Sequence, residues 1–167
     1  MTSKIKKHIR AHGIKVLLSS HPEIRRLKRN NFPTSHGNKF WTSSWLLMDY
    51  FEKNGMPEKT RIMELGCGWG LAGIYCAKNH GASVTGIDID REVFPFLSLH
   101  AKINNVDVNF LRKGFNSLTL REMKNIDIII GADICFWDEM VDPLKKLINR
   151  ALKAGVKLNL QVFQREI

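Results

Sequence analysis

Residues 61–90, RIMELGCGWGLAGIYCAKNHGASVTGIDID, open on an apolar run, set Gly66, Gly68 and Gly70 on alternate positions, and close on Asp88 and Asp90. Glycine weakens helices and strands alike, so alternate glycines after an apolar run mark a turn where something approaches the backbone closely. RIMEL reads as a strand, GLAGIYCAKNH as a helix and ASVTGID as a second strand.

The same alternation continues downstream. REVFPFLSLHAKINN reads as a helix with Pro95 in its first turns, VDVNFLR as a strand, and LTLREMKN as a short helix. IDIIIGAD is an almost wholly apolar strand, EMVDPLKKLINRALKAG a helix ending at Gly155, and VKLNLQVF a fifth strand. Strands alternating with helices predict an α/β fold: a Rossmann-like, doubly wound parallel sheet covered on both faces. Ligands of such sheets sit beyond the strand C-termini, where the glycine turn lies.

Upstream, TSSWLLMDYFEKNG reads as a helix with Thr42 or Ser43 as N-cap and Gly55 as its stop. HPEIRRLKRNNFP reads as a short charged helix, and SKIKKHIRAHGIKVLL as a helical pattern that Gly13 interrupts. Of the net charge of +10, nearly all lies in residues 1–40, which hold ten Lys or Arg and one acid, Glu23. The chain therefore divides into a basic helical arm, 1–40, and a Rossmann domain, 41–167. The arm is expected to be dispensable for folding. Nucleic acid, an acidic protein or an anionic surface would suit it as partner, and a solvated extension without a partner fits its composition equally well. A transit peptide is a weaker reading, since Lys outnumbers Arg in the first 22 residues and serines are few.

No apolar run is long enough to span a bilayer, so no membrane partner is expected. The three cysteines (Cys67, Cys76, Cys135) form no C-x-x-C pair and suit a reducing, cytoplasmic setting. The six histidines show no zinc-ligand spacing, so no metal site is expected.

The glycine turn aims backbone N–H groups and a helix N-terminus at its ligand. Asp88, at the end of the second strand, can accept both hydroxyls of a ribose, with Asp90 as second choice. Two cofactors compete. Gly68, Gly70 and Gly73 fit G-x-G-x-x-G, a pattern weak by itself and late for a pyrophosphate turn, which makes a nicotinamide-dependent oxidoreductase an unfavoured alternative. Glu64 with Gly66, Gly68 and Gly70 fits E-x-G-x-G-x-G. An acid at the strand end repels a pyrophosphate and attracts the ammonium and sulfonium of S-adenosylmethionine. Electrostatics favours the methyl donor.

MELGCGWG followed by VTGIDID resembles the first motif and the following acid of class I S-adenosylmethionine-dependent methyltransferases. HGNKFWTSSWLLMDYF and GADICFW narrow the resemblance to the seven-β-strand branch with protein-lysine and nicotinamide N-methyltransferase-like proteins. The resemblance implies strand order 3-2-1-4-5, counting from RIMEL, then a hairpin of sixth and seventh strands. With the sequence stopping at Ile167, that hairpin is expected to be missing and the fifth strand to be an open edge, which a homodimer could cover. It also implies Trp41 near the cofactor, and Asp133 and Phe136 as an Asp-x-x-aromatic element at the methyl-transfer site, Asp133 counting with the cofactor set too. Glu64 would serve the methionine end, and Gly66, Gly68 and Gly70 the cofactor's shape. The acid or amide that most relatives place beside the adenine has no acidic match in LRKGFNSL.

The expected function is methyl transfer to an amine of a protein or small molecule, with Asp133 orienting or neutralising the amine and Phe136 adding cation–π attraction. The alternatives are a non-catalytic cofactor-binding module that docks a partner and a nucleic-acid methyltransferase guided by the arm. Against the latter, the Asn/Asp-Pro-Pro-aromatic motif is absent, and Cys135 follows Ile134, not the proline of cytosine-C5 enzymes.

Overall fold

The computed structural model describes residues 7–34 and 36–161. The glycine stretch folds as β3 (Arg61–Leu65), α3 (Leu71–His80) and β4 (Ser83–Asp88). There follow α4 (Phe94–Ile103), β5 (Asn109–Arg112), α5 (Leu120–Met123), β6 (Ile128–Ala132), α6 (Val141–Lys153) and β7 (Lys157–Gln161). Five strands make one parallel sheet in the order β5-β4-β3-β6-β7, the order 3-2-1-4-5 expected of this part of the chain.

The central strands are buried on both faces, and each face feeds its own core. Ile62 and Ile130 point into a cluster with Leu47, Ile74 and Phe96, whereas Met63, Leu65 and Ile129 pack with Met123, Leu144 and Leu147 of α5 and α6. Successive residues of a strand face opposite ways, so an unbroken apolar run such as Ile128–Ile130 serves both layers. After β5 the chain crosses β4 and β3 to add β6. This reversal opens a crevice above the C-terminal ends of β3, β4 and β6.

The N-terminal segment departs from expectation. His8–Ala11 (β1) and Ile14–Leu17 (β2) form an antiparallel hairpin, not a helix, followed by α1 (Pro22–Asn30) and α2 (Ser43–Asn54). The turn is two residues long, with His12 at φ 49° and Gly13 at φ 73°, and two positive φ values in a row match the twist of paired strands. Along β2, Ile14 and Val16 are fully buried while Lys15 between them is not, and Leu17 at the strand end is buried as well. Residues 1–6 of the expected arm, Ile5 among them, lie outside the described residues.

The hairpin is no appendage. Ile14, Val16, Leu17 and Ile24 belong to the main core with α2, α3 and α4. Two buried polar side chains one turn apart on α4 dock it. His100 Nε2 accepts the Leu17 N–H at 3.1 Å while its Nδ1 bonds the Phe96 carbonyl at 2.8 Å. Asn104 accepts the Lys15 N–H and donates to the Lys15 carbonyl, both at 2.8 Å, as a neighbouring strand would. Burial holds His100 neutral by pushing its pKa down to about 4. At the hairpin tip, His12 Nδ1 lies 2.9 Å from Glu52 and Nε2 3.7 Å from Asp49. These three side chains lie close enough together to hold an ion, a spatial cluster that sequence spacing could not reveal. The two ring nitrogens face different acids, an arrangement that suits a latch.

The expected loss of a strand hairpin needs correction as well. The described residues hold seven strands, two of them the N-terminal hairpin, and the end of the sequence is no ground for declaring others missing. No described helix is long and apolar enough to cross a membrane.

Candidate functional site

The crevice is a cavity of about 580 Å³ whose floor is the glycine turn. Gly66, Gly68 and Gly70 all have φ between 51° and 70°, and they differ in what a side chain would meet. A Cβ on Gly66 would come within 2.9 Å of Ile134, and one on Gly70 within 2.8 Å of Leu97. A Cβ on Gly68 would meet no protein atom within 4 Å and would project into open space. Packing and backbone conformation both call for glycine at 66 and 70; at 68 the conformation alone does, and its open side faces the cavity.

Two carboxylates underlie this floor. Glu64 is almost wholly buried, and its Oε2 accepts the Gly73 N–H at 3.0 Å from the first turn of α3. Burial pushes its pKa up to about 8, against the backbone donors of Gly73 and Ala72 that favour the ionised form. Asp88 accepts the Gly68 N–H at 3.0 Å on Oδ2 and the Asp90 N–H at 2.9 Å on Oδ1. Its pKa is also raised, chiefly by burial. It therefore fixes the shape of the turn while lining the cavity. Asp90 has other work: Oδ1 accepts the Glu92 N–H at 3.0 Å, and Oδ2 accepts the Thr34 N–H at 2.7 Å. That pins the chain at Thr34 beside the cavity, and Asp88 and Asp90 alike line the cavity with both oxygens accepting backbone N–H groups.

The far wall follows β6. Asp133 holds φ 55°, a left-handed conformation that short polar residues adopt at modest cost, and it lines the cavity. Ile134, packed against Gly66 and Gly131, fixes this bend to the floor. Phe136 then meets His36 at 4.4 Å and Trp41 at 5.7 Å between ring centroids, and Trp41 donates from Nε1 to the His36 carbonyl at 2.7 Å. Trp41, Glu64, Gly66, Gly68, Gly70, Asp88, Asp133 and Phe136 thus line one cavity, although they are spread over residues 41–136.

Three contributors were not singled out from sequence. Trp69, inside the glycine motif, is buried, stacks on Phe96 and His100 at 5.2 Å, and donates to the Gly37 carbonyl at 3.0 Å. It ties the 36–40 loop to the glycine floor. His36 adds an aromatic wall beside Phe136. Asn116 lines the cavity after β5 and offers a side-chain amide in the stretch that lacks an acid. An amide was the recognisable signal there.

Comparison with known proteins bears on this geometry directly. The profile of the lysine methyltransferase family matches residues 22–166. The chain belongs to that family. Its match includes α1 and everything after it, so the family boundary falls inside the stretch read from sequence as a separate arm. Among curated relatives, a protein N-lysine methyltransferase of Xenopus tropicalis is 33% identical over 104 residues, covering 59% of this chain and 47% of its own. A ubiquinone biosynthesis O-methyltransferase of Coxiella burnetii is 28% identical over 120 residues, covering 71% of this chain and 50% of its own. The chain thus spans about half the length of these relatives. A SAM-dependent methyltransferase from Aquifex aeolicus superposes with a TM-score of 0.58 at 20% identity, covering 86% of this chain and 74% of its own, and shares its fold.

Proposed function

We propose that this chain binds S-adenosylmethionine in the cavity and transfers its methyl group to the side-chain amine of a protein lysine. The observation that carries this reading is buried Glu64 with half-buried Asp88 beneath a glycine whose missing side chain leaves open space. Gly68 and its neighbours would cradle the cofactor, Asp88 would accept from the ribose hydroxyls, and Asn116 would face the adenine. Glu64 would offer negative charge to the methionine end, and Trp41 would flank the cofactor. When bound, the sulfonium supplies an activated methyl group. The protein's own task is then to present a neutral amine in line with the S–CH₃ bond, about 3 Å from the carbon.

Asp133 and Phe136 lie where that amine would arrive. The Asp133 carboxylate suits an acceptor for the ammonium proton as the lysine enters, and the Phe136 face suits cation–π attraction to the arriving ammonium and the methylated product. The family match supports lysine as the acceptor, and the O-methyltransferase relative keeps a hydroxyl acceptor as the second reading. Unpaired thiols at Cys67, Cys76 and Cys135 support a reducing, cytoplasmic setting. A dimer formed through the outer edge of β7, which has no sheet neighbour among the described residues, would be read by light scattering.

The test is transfer from labelled S-adenosylmethionine to a fractionated protein mixture, followed by acid hydrolysis. Label is expected as methyl-lysine, absent when the mixture's lysines are chemically acetylated beforehand and lowered at least 100-fold in Asp133→Ala. Label in methyl esters, ethers or nucleotides would overturn the acceptor assignment.

A further inference from the structure

The charge around the cavity mouth is divided. On one side stand Asp133, Asp138 and Glu139, the last two exposed, with Asp133 and Glu139 in the cavity wall. On the other, α1 carries Arg25, Arg26, Lys28 and Arg29 against one acid, Glu23, whose Oε2 is bonded to Arg26. The chain leaves α1 at Arg29 and reaches the cavity wall at Thr34, five residues on and so within about 17 Å. The loop between is held by two backbone N–H bonds, Phe32 to Glu92 and Thr34 to Asp90. The basic helix is thereby held in place relative to the mouth; Arg91 beside this loop is paired with Glu92 at 3.1 Å, and exposed Lys39 adds a positive charge at the rim.

The rim is also apolar. Ile89 is 70% exposed and Trp137 55% exposed, and both line the cavity, while Phe32 on the connecting loop is 76% exposed. Large side chains left in water around a cavity mouth mark a surface that another molecule covers. Nucleic acid fits this rim poorly. Ile89 offers a base no stacking face, and Asp138 and Glu139 beside Trp137 would repel phosphates. A polypeptide fits both halves, since it can place a cationic side chain at the acidic half and acidic side chains at the basic half.

We propose that the exposed basic face of α1 docks an acidic segment of the protein whose lysine enters the cavity, with Ile89 and Trp137 covering apolar side chains between the two. This rests on the lysine-transfer reading above. The chain from Arg29 to Thr34 spans at most about 17 Å and an extended peptide rises about 3.3 Å per residue, so the acids lie up to about five residues from the cavity wall. Such docking selects among lysines by context, because the cavity itself admits any lysine side chain.

The experiment measures fluorescence polarisation of labelled peptides on the full-length protein with S-adenosylhomocysteine present. Each peptide has a central lysine and, five residues away, a pair of Glu, Gln or Lys. The Glu peptide is expected to bind at least tenfold more tightly than the Gln peptide in 50 mM salt, with the difference shrinking towards nothing at 0.5 M. The double variant Arg25→Glu/Arg29→Glu, both positions exposed, is expected to keep its melting temperature and to prefer the Lys peptide. Equal affinities for the three peptides, or an order that the double variant leaves unchanged, would overturn the proposal. So would a poly(U) strand that binds more tightly than the Glu peptide and displaces it. Transfer to the same peptides separates the two ideas. Equal binding with methylation sinks the docking surface and leaves the transfer reading; charge-dependent binding without methylation does the reverse.

Discussion

Removing residues 1–30 will leave a chain without a cooperative folding transition. The deletion strips Ile14, Val16, Leu17 and Ile24 from the core that they share with α2, α3 and α4. Burying an aliphatic side chain is worth about 1.5–3 kcal/mol, so the four together amount to roughly 6–12 kcal/mol, comparable to the whole stability of a domain this size. It also removes the hydrogen bonds from His100 Nε2 to Leu17 and from the Asn104 amide to Lys15. Urea denaturation followed by circular dichroism would read the result. The single substitution Asn104→Ala, which removes both bonds to Lys15, is expected to cost about 2–4 kcal/mol with the fold retained. A deletion protein that unfolds with the wild-type slope and midpoint would mean that the N-terminal segment is the dispensable arm its charge suggests.

Gly68→Val is expected to lower affinity for S-adenosylmethionine at least 100-fold while the protein stays folded. Two effects must be kept apart, because valine is both bulky and strained at φ 51°. Gly81 separates them. It ends α3 at φ 62° with nothing within 4 Å of a would-be Cβ, so Gly81→Val suffers similar strain away from the cavity. Both variants should melt below the wild type by similar amounts, and only Gly68→Val should lose the cofactor. Equal losses of affinity would make the glycine turn a folding device alone.

The sheet was legible because strand and helix patterns alternate, β6 is almost wholly apolar, and a helix stop such as Gly155, at φ 74°, stands out. The hairpin was not. Its two strands are four residues each, and Ile9 and Leu17 fall at spacings that a helix would also produce. The decisive signal was the pair His12-Gly13 ahead of alternating Ile14 and Val16, a turn of the two-residue type with histidine in the place that asparagine or aspartate more often takes. Charge misled in the same region. Arg25, Arg26 and Arg29 describe the exposed face of α1, and Ile24, fully buried, is what holds the helix to the protein.

At the site, residues that touch the cavity through short-range motifs were readable, since strand end, glycine turn and second strand place Glu64, Gly68 and Asp88 together by topology alone. Trp69 and His36 were not readable, because their roles depend on a loop contact across 32 residues, Trp69 Nε1 to the Gly37 carbonyl. The backbone bonds of Asp88 and Asp90 likewise needed coordinates: Asp88 holds the glycine turn through Gly68, and Asp90 holds the chain at Thr34.

Titration calorimetry of the protein with S-adenosylmethionine, in buffers of differing ionisation enthalpy, tests the central claim most directly. Glu64 has a pKa of about 8 in the unliganded site, so it is mostly protonated at pH 7. A cationic ligand favours the ionised form, so binding should release close to one proton at pH 7 and almost none at pH 9. The sign follows: affinity rises as pH climbs towards 8, by up to about tenfold per unit, and levels off above it. Glu64→Gln, which keeps an oxygen for the Gly73 N–H, should bind more weakly with no proton released. No heat with S-adenosylmethionine from folded protein, equal binding of a nicotinamide dinucleotide, or binding at pH 7 without proton release from the wild type would contradict the account.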